Sequence, residues 1–484
     1  MNLPRTLLAP ALALALLAGC VSPASQLDAL GGKTPQEILP HLELTDAHDH
    51  KDPAQHRIAW NMELLGWDPI APDTTKLGRY NHVVVQGTRA FVGAYALANG
   101  SAPGLAVFNI SGDDPVLTAT LETSNIVPID VHVSGDGKYA VLAGHADPVY
   151  ALPSAANTCT GTPMVNLCTP FVPSGVYLVN VEDERDPRII DTWRSVPSGA
   201  HTAKVVKYAD AHYVFIASYG FSYANRLASH VEILKVVESP APIGTHMEPV
   251  AEFFASRLSG NDGEVRTFVH DMWIEEHPLT KSMLMWIAYW DGGVVIVDVT
   301  DPSKPREIAA WREFDAALYG NIHFARPIGM IGERHISYAA PEYSSAEHAG
   351  EAYILDTTDP AAPQLLAKWT LPGDPVNDGN YRFSPHNFDP LGSRIVYAHY
   401  HGGVWVLDLA EPESPVVKGY VFPTVPEGEP AFNATEDAPN VWAAVWAADG
   451  TIWASDIGTG LYHYRLVSDE PGTPPYEAAL AAMG

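Results

Sequence analysis

The chain has 484 residues, 46% of them hydrophobic, so it is long enough for several domains and apolar enough for a large core. It carries 57 acidic against 28 basic residues, a formal charge of −29. A surface of that sign repels nucleic acid and anionic headgroups, which excludes both as partner surfaces and leaves a solvated acidic exterior as the plain reading.

The first segment reads as an export signal rather than as fold. Arg5 gives a weakly positive start, Leu7–Leu17 is almost wholly Leu and Ala, and the run ends in Leu17-Ala18-Gly19-Cys20. It is too short to span a bilayer and suits the apolar core of a signal peptide. Its end resembles a prokaryotic lipobox, which implies cleavage before Cys20 and a lipid on that thiol. An ordinary secretory signal with Cys20 incidental is the alternative. Residues 1–19 are thus expected to be a lipoprotein signal peptide and residues 20–57 a tether and lead-in. The expected location is the cell surface or the periplasm, with the membrane reached only through the lipid anchor. The lead-in holds Asp46-Ala47-His48-Asp49-His50-Lys51-Asp52, either a loose metal site or an exposed polar stretch. No later run reaches the roughly 18 apolar residues of a spanning helix.

Trp60–Trp67 is strand-like but has no partner strand near it in sequence. From Asn81 a regular grammar begins: a strand opening near a His, a turn, a second strand, a Gly-led third strand, an Asp-Pro turn and a fourth strand. In the first unit these are His82–Gln86, Arg89–Tyr95, Leu105–Ile110 and Val116–Leu121. In the fourth they are Val269–Ile274, Met283–Tyr289, Val294–Val299 and Arg306–Trp311. The Gly-led strand is the clearest mark. Gly292–Pro305 reads GGVVIVDVTDPSKP, a β-branched run bounded by turn residues. Related text starts at Gly104, Gly175, Gly350 and Gly402, with degenerate copies at His230 and Thr459. Copies recurring roughly every 50–70 residues indicate an array of small sheets. Only Tyr476–Met483 carries a weak helical signal.

The text VVIVDVTDPSKP and its relatives resemble the LVIVD repeat of prokaryotic surface and exported β-propellers. The resemblance covers roughly Met62 to Leu466. It implies an all-β, seven-bladed β-propeller of four-stranded antiparallel blades over residues 58–467, followed by a C-terminal tail over residues 468–484. The last unit shows only three strands, Val441–Ala447, Thr451–Ala454 and Leu461–Leu466. A ring must pair its final blade or leave two open edges. The solitary Met62–Trp67 segment is expected to supply the missing outer strand and close the ring.

Of the three cysteines, Cys159 and Cys168 bracket a loop-like CTGTPMVNLC. In an exported protein a disulfide is the natural reading. It would staple the loop more than the whole fold.

The strongest functional signal is a recurrence of His. Six of the seven units open the innermost strand with one: His82, His132, His201, His270, His323 and His386, with Trp442 in the seventh. The loops between second and third strands fall on the same face, here called the top. They add His145, Tyr219, Tyr289, Trp290, Asp291, Glu342, His348, His399, His401 and Asp456. Neutral imidazole is the commonest ligand for Zn, Cu and Fe. The register predicts all six His at one height around one axis, with one transition-metal ion on the side of His270, His323 and His386, joined by His399 and His401. Asp271 is placed to orient an imidazole. The bland reading is a duplicated His that bonds the neighbouring blade's backbone.

Two functions follow. One is a binding or interaction scaffold, a monomer that meets an unknown protein or small-molecule ligand at its top face. The other is a metal-dependent, oxidoreductase-like enzyme with a His-lined mouth. That mouth is similar in architecture to the selenium-binding-type methanethiol oxidases, although no motif of that family occurs. Phosphate-binding Gly loops, GxSxG elbows and HExxH helices are absent from the sequence.

Overall fold

The computed structural model describes residues 59–69, 79–95, 104–123, 128–144, 175–195, 200–218, 229–255, 268–313, 321–342, 350–371, 384–423 and 439–471. The three cysteines, the His- and Asp-rich lead-in, the weak C-terminal helix, His145, Tyr219 and His348 all lie outside them. Among the described residues no helix is long and apolar enough to cross a membrane.

Seven antiparallel sheets stand in a ring, each running from an innermost to an outermost strand. Burial follows that radial order. The third strand Val294–Asp298 is buried on both faces through its first four residues because a neighbouring blade covers each face. The fourth strand Val116–Glu122 alternates half-buried and exposed positions because it forms the rim. In blades four, five and six the turn after the third strand is built by that strand's last aspartate. Asp298, Asp356 and Asp408 accept the backbone N–H two residues on, at 3.0, 2.9 and 3.0 Å. This is the Asx turn that the repeated Asp and the following Pro encode. Gly293 and Gly403 precede their third strands at φ +82° and +77°. A Cβ at either would meet a backbone carbonyl of its own blade's fourth strand, of Trp311 and Val421 respectively. Only glycine meets both demands.

The ring closes as the sequence predicts, with one addition. Strand β1 (Ala59–Trp60) and strand β2 (Met62–Asp68) are separated by Asn61 alone. β2 pairs with Gly460–Leu466, from Met62 opposite Leu466 to Asp68 opposite Leu461, and becomes the outer strand of blade seven. β1 pairs with Tyr420 and Val421 and gives blade six a fifth strand, which the sequence does not foretell. The corner is Asn61, at φ +56°. Its Nδ2 donates to Lys418 O of blade six at 2.6 Å and to Ser468 O beyond blade seven at 2.7 Å, while Oδ1 accepts Ser468 N–H at 2.9 Å. One side chain thus ties the two blades flanking the seam.

Candidate metal centre

The six His do not stand at one height. His201, His270, His323 and His386 are neighbours around the mouth, with ring centroids 4.2 Å apart at each step, and Trp442 follows His386 at 4.5 Å. His82 and His132 sit away from this row. His82 Nδ1 accepts from Asn387 Nδ2 at 2.8 Å and lies 3.6 Å from Asp130. His132 Nδ1 accepts Val205 N–H at 3.2 Å, and its ring meets the edge of Trp273. Local register explains the shift. Blade one shifts register between Tyr80 and Val83 as blade three does between Ala200 and Ala203, so Asn81 matches His201 and His82 falls one residue further along. In blade two Asp130 takes the upper position, and His132 is two residues, about 7 Å, further along the strand.

Two imidazoles of the row are held by the neighbouring blade. His270 Nδ1 donates to His323 O at 3.1 Å, and His386 Nδ1 donates to Trp442 O at 2.6 Å. The bland expectation of a backbone bond and the metal expectation are therefore compatible: the bond fixes the proton on Nδ1 and makes Nε2 the acceptor nitrogen. A carbonyl takes the orienting role expected of Asp271, whose carboxylate turns elsewhere. His270 Nε2 lies 2.9 Å from His201 Nε2 and 3.9 Å from Glu342 Oε2. His323 Nε2 is also 3.9 Å from Glu342 Oε2. The ligand atoms of His270, His323 and Glu342 all lie within 4.8 Å of one another. A tetrahedral ion with bonds near 2.0–2.1 Å needs ligand atoms about 3.3 Å apart, so small rotations would bring this set onto one ion. Burial, followed by the neighbouring His386 and His201, holds His323 well below the ordinary imidazole value, in the neutral form that ligation needs.

Glu342 is aimed from both sides. Its backbone N–H bonds Asn321 O at 2.8 Å, and Asn321 N–H in turn bonds Asp291 at 3.2 Å. Its Oε1 accepts the Tyr400 hydroxyl at 2.7 Å. Trp290, Asn321 and Tyr400 have φ of +49°, +42° and +45°, a conformation costly for such residues. Trp290 and Tyr400 each reach across as an isolated bridge to the next blade, at Ile322 and Val441. Backbone strain thus gathers around this mouth, a common companion of function. Trp290 stacks on His270 at 5.0 Å, and Phe268 stacks on Trp290 at 4.9 Å, which gives one side of the mouth an aromatic wall.

His399 stands apart from the cluster. It is buried between Tyr397 and Trp369 at 4.5 and 5.7 Å, in the packing of blades five and six. It ends a second strand whose alternation points it into the sheet stack, and the next residue, Tyr400, faces the site instead. His401 is half-buried in the following turn.

Below the His row lies a charged layer. Lys204 Nζ bonds Asp130 at 3.0 Å and Asp271 at 3.1 Å, with all three side chains at least 96% buried. Burial raises both aspartates, and the ammonium opposes that rise. Their bonds cross-link the innermost strands of blades two, three and four. Deeper still, Arg326 pairs with Asp389 at 2.7 Å and lies 3.6 Å over the Trp273 ring. Lys204, Arg326 and Asn387 were not singled out from sequence. Lys204 and Arg326 are cations inside innermost strands, Ala200–Lys207 and Ile322–Ile331, and Asn387 stands just before another, Phe388–Leu391.

Known proteins add a repeat match and a likeness of fold. Residues 285–311 match the LVIVD repeat. No curated protein matches the chain. Among solved structures, the β-propeller domain of Myceliophteria thermophila Cps50 (Swd1) is similar with a TM-score of 0.51 at 11% identity, covering 83% of this chain and 99% of that one. Saccharomyces cerevisiae Sqt1 gives 0.48 at 9%, covering 83% and 84%, and the C-terminal WD40 domain of Sif2 gives 0.44 at 12%, covering 80% and 81%. At such identities the likeness is one of fold alone. The chain is a seven-bladed β-propeller that carries the LVIVD repeat.

Proposed function

We propose that this protein is an exported, lipid-anchored propeller that holds one transition-metal ion at the top mouth of its channel and acts there as a metal-dependent enzyme. The observation that carries the reading is the convergence of His270 Nε2, His323 Nε2 and Glu342 Oε2, with His201 Nε2 beside them. The His323 carbonyl orients His270 and the Tyr400 hydroxyl orients Glu342, as ligands of a working centre are oriented. Two or three imidazoles with one carboxylate suit Zn, Cu or Fe. Such an ion would supply a Lewis acid or a one-electron couple. Of the chain's own groups, Tyr400 holds the carboxylate, the His323 carbonyl holds the His270 ring, and Trp290 with Phe268 shields one side from water. A partner or substrate meets this top face in either functional reading. The interaction scaffold is what the fold alone supports.

Elemental analysis of the purified protein, before and after incubation with Zn, Cu and Fe salts, tests the centre. About one ion per chain is expected, falling below a tenth in the His270→Ala/His323→Ala double variant with the fold retained. A wild type that neither carries nor takes up metal sinks the reading.

The anchor and the disulfide belong to the same proposal and are read in one experiment. Intact-mass and non-reducing peptide mapping of the mature protein should find a lipid on an N-terminal Cys20 and a Cys159–Cys168 cross-linked peptide. Lipid-free protein in the soluble fraction, or free thiols at both later positions, rejects the respective part.

A further inference from the structure

The His row contains a hydrogen bond that ligation of His270 must break. His270 Nδ1 gives its proton to His323 O, so His270 Nε2 offers a lone pair. The proton shared between His201 Nε2 and His270 Nε2, 2.9 Å apart, therefore belongs to His201. At the other end of the row His386 Nδ1 donates to Trp442 O, and its Nε2 is again an acceptor. Of the rings whose tautomers these bonds fix, His201 is the one that presents a proton at Nε2.

Two further observations set His201 apart from the ligand pair. It falls outside the set of His270, His323 and Glu342, whose ligand atoms all lie within 4.8 Å of one another. In the pattern of His270 and His386, His201 would donate to His270 O of the next blade, but that carbonyl accepts Thr202 Oγ1 at 3.2 Å. Ligation through His201 Nε2 would require the proton to leave that nitrogen. His201 is also half-buried, whereas His270 and His323 are buried, so more of it is open to an arriving molecule.

An ion on His270, His323 and Glu342 has three protein ligands, and a tetrahedral ion then keeps a fourth position for water or substrate. We propose that His201 is a substrate-binding residue: its Nε2–H, released when the ion takes His270 Nε2, donates to the atom that fills the fourth position. The substrate class follows from the donor. That atom must bind the ion with one lone pair and accept a hydrogen bond with another. A carboxylate or carbonyl oxygen does both, whereas sulfur accepts only weakly. The centre is thus a site for molecules that ligate through oxygen rather than through a thiol. This role rests on the metal reading above and adds to it one residue and the kind of ligand.

The test uses Co(II), whose visible bands report its ligands, loaded into the whole protein. Metal content is read first, and acetate and ethanethiol are then titrated separately at one pH. Acetate should bind the wild type saturably. His201→Phe keeps a ring without a donor; it should hold about one ion per chain and bind acetate at least about tenfold more weakly, a loss of about 1.4 kcal/mol. Its affinity for ethanethiol should change less than about twofold. His201→Gln, which restores an N–H donor, should recover most of the acetate affinity. His201→Leu replaces the Phe variant should that one fold poorly. Loss of the ion from either donor-free variant with the fold retained would make His201 a ligand and overturn the proposal. Equal weakening of acetate and ethanethiol, or no weakening of either, would overturn it as well. A wild type that takes up no Co(II) sinks the metal reading itself, and this role with it, so the two failures are told apart.

Discussion

Removal of the chain through Asp68 is expected to leave a protein that aggregates and melts well below the intact one. The deletion strips β2 from Gly460–Leu466 and β1 from Val416–Val421, and it bares the backbone edge of two blades at once. An unpaired edge is a template for intermolecular pairing. Two point changes at Asn61 separate closure from bulk deletion. Asn61→Gly keeps the positive φ but loses three side-chain hydrogen bonds, a cost of about 2 kcal/mol at the usual net worth of such bonds. Asn61→Ala loses the same bonds and adds roughly 1–2 kcal/mol for an alanine in the left-handed region. The expected order of denaturation midpoints is wild type, Gly, Ala. A deletion that remains monodisperse with the wild-type melting temperature contradicts this account of the seam.

Stability should also fall steeply in acid, and one large contributor should be His399. This ring is fully buried, neither of its nitrogens has a hydrogen-bond partner among the described residues, and burial lowers its pKa to about 3. His335 behaves alike: burial comes first and the adjacent His277 second, bringing it to about 4. A lowered histidine pKa means that the unfolded chain binds the proton more readily than the folded one. The contribution is therefore complete above the unfolded value near 6.5 and is lost as pH drops from there toward the folded value. For His399 the loss between pH 8 and pH 4.5 is about 2–3 kcal/mol at 1.36 kcal/mol per unit. His399→Phe removes the titrating group and keeps a ring between Tyr397 and Trp369. Its stability relative to wild type should improve by about that amount over the same interval, in urea titrations at the two pH values. An identical pH slope in the two proteins removes His399 as the acid trigger.

The architecture was legible because it is written in turn chemistry and repetition. Each Asp-Pro turn marks a blade, and the missing fourth strand of the last unit forces the chain start to supply it. What was not legible is height. Period-two alternation tells which side of a strand a residue faces, but not where the strand begins relative to its neighbour. Asn81 and Asp130, standing where the row needs a histidine, were enough to leave His82 and His132 one and two residues further along. The same limit applies to loops. HYHGG pointed to His399 and His401, whereas Tyr400 between them, at positive φ, is the residue that bonds Glu342. The buried ion layer was hidden for another reason. A lysine in an apolar strand looks like an interruption until two aspartates from different blades are seen beside it.

The seam has a consequence for the order of events during folding. Asn61 and Ser468, which it joins, are 407 positions apart in sequence. Six blades can pair their own strands from neighbouring chain as it is made, whereas the seventh waits for both ends of this stretch. Until then β2 has no partner, and its Leu65 and Trp67 stay in water. The entropic cost of joining such distant segments rises only slowly with length, so the completed ring can still close. It closes last, by one long-range search, and that step is expected to set the rate at which the finished protein appears.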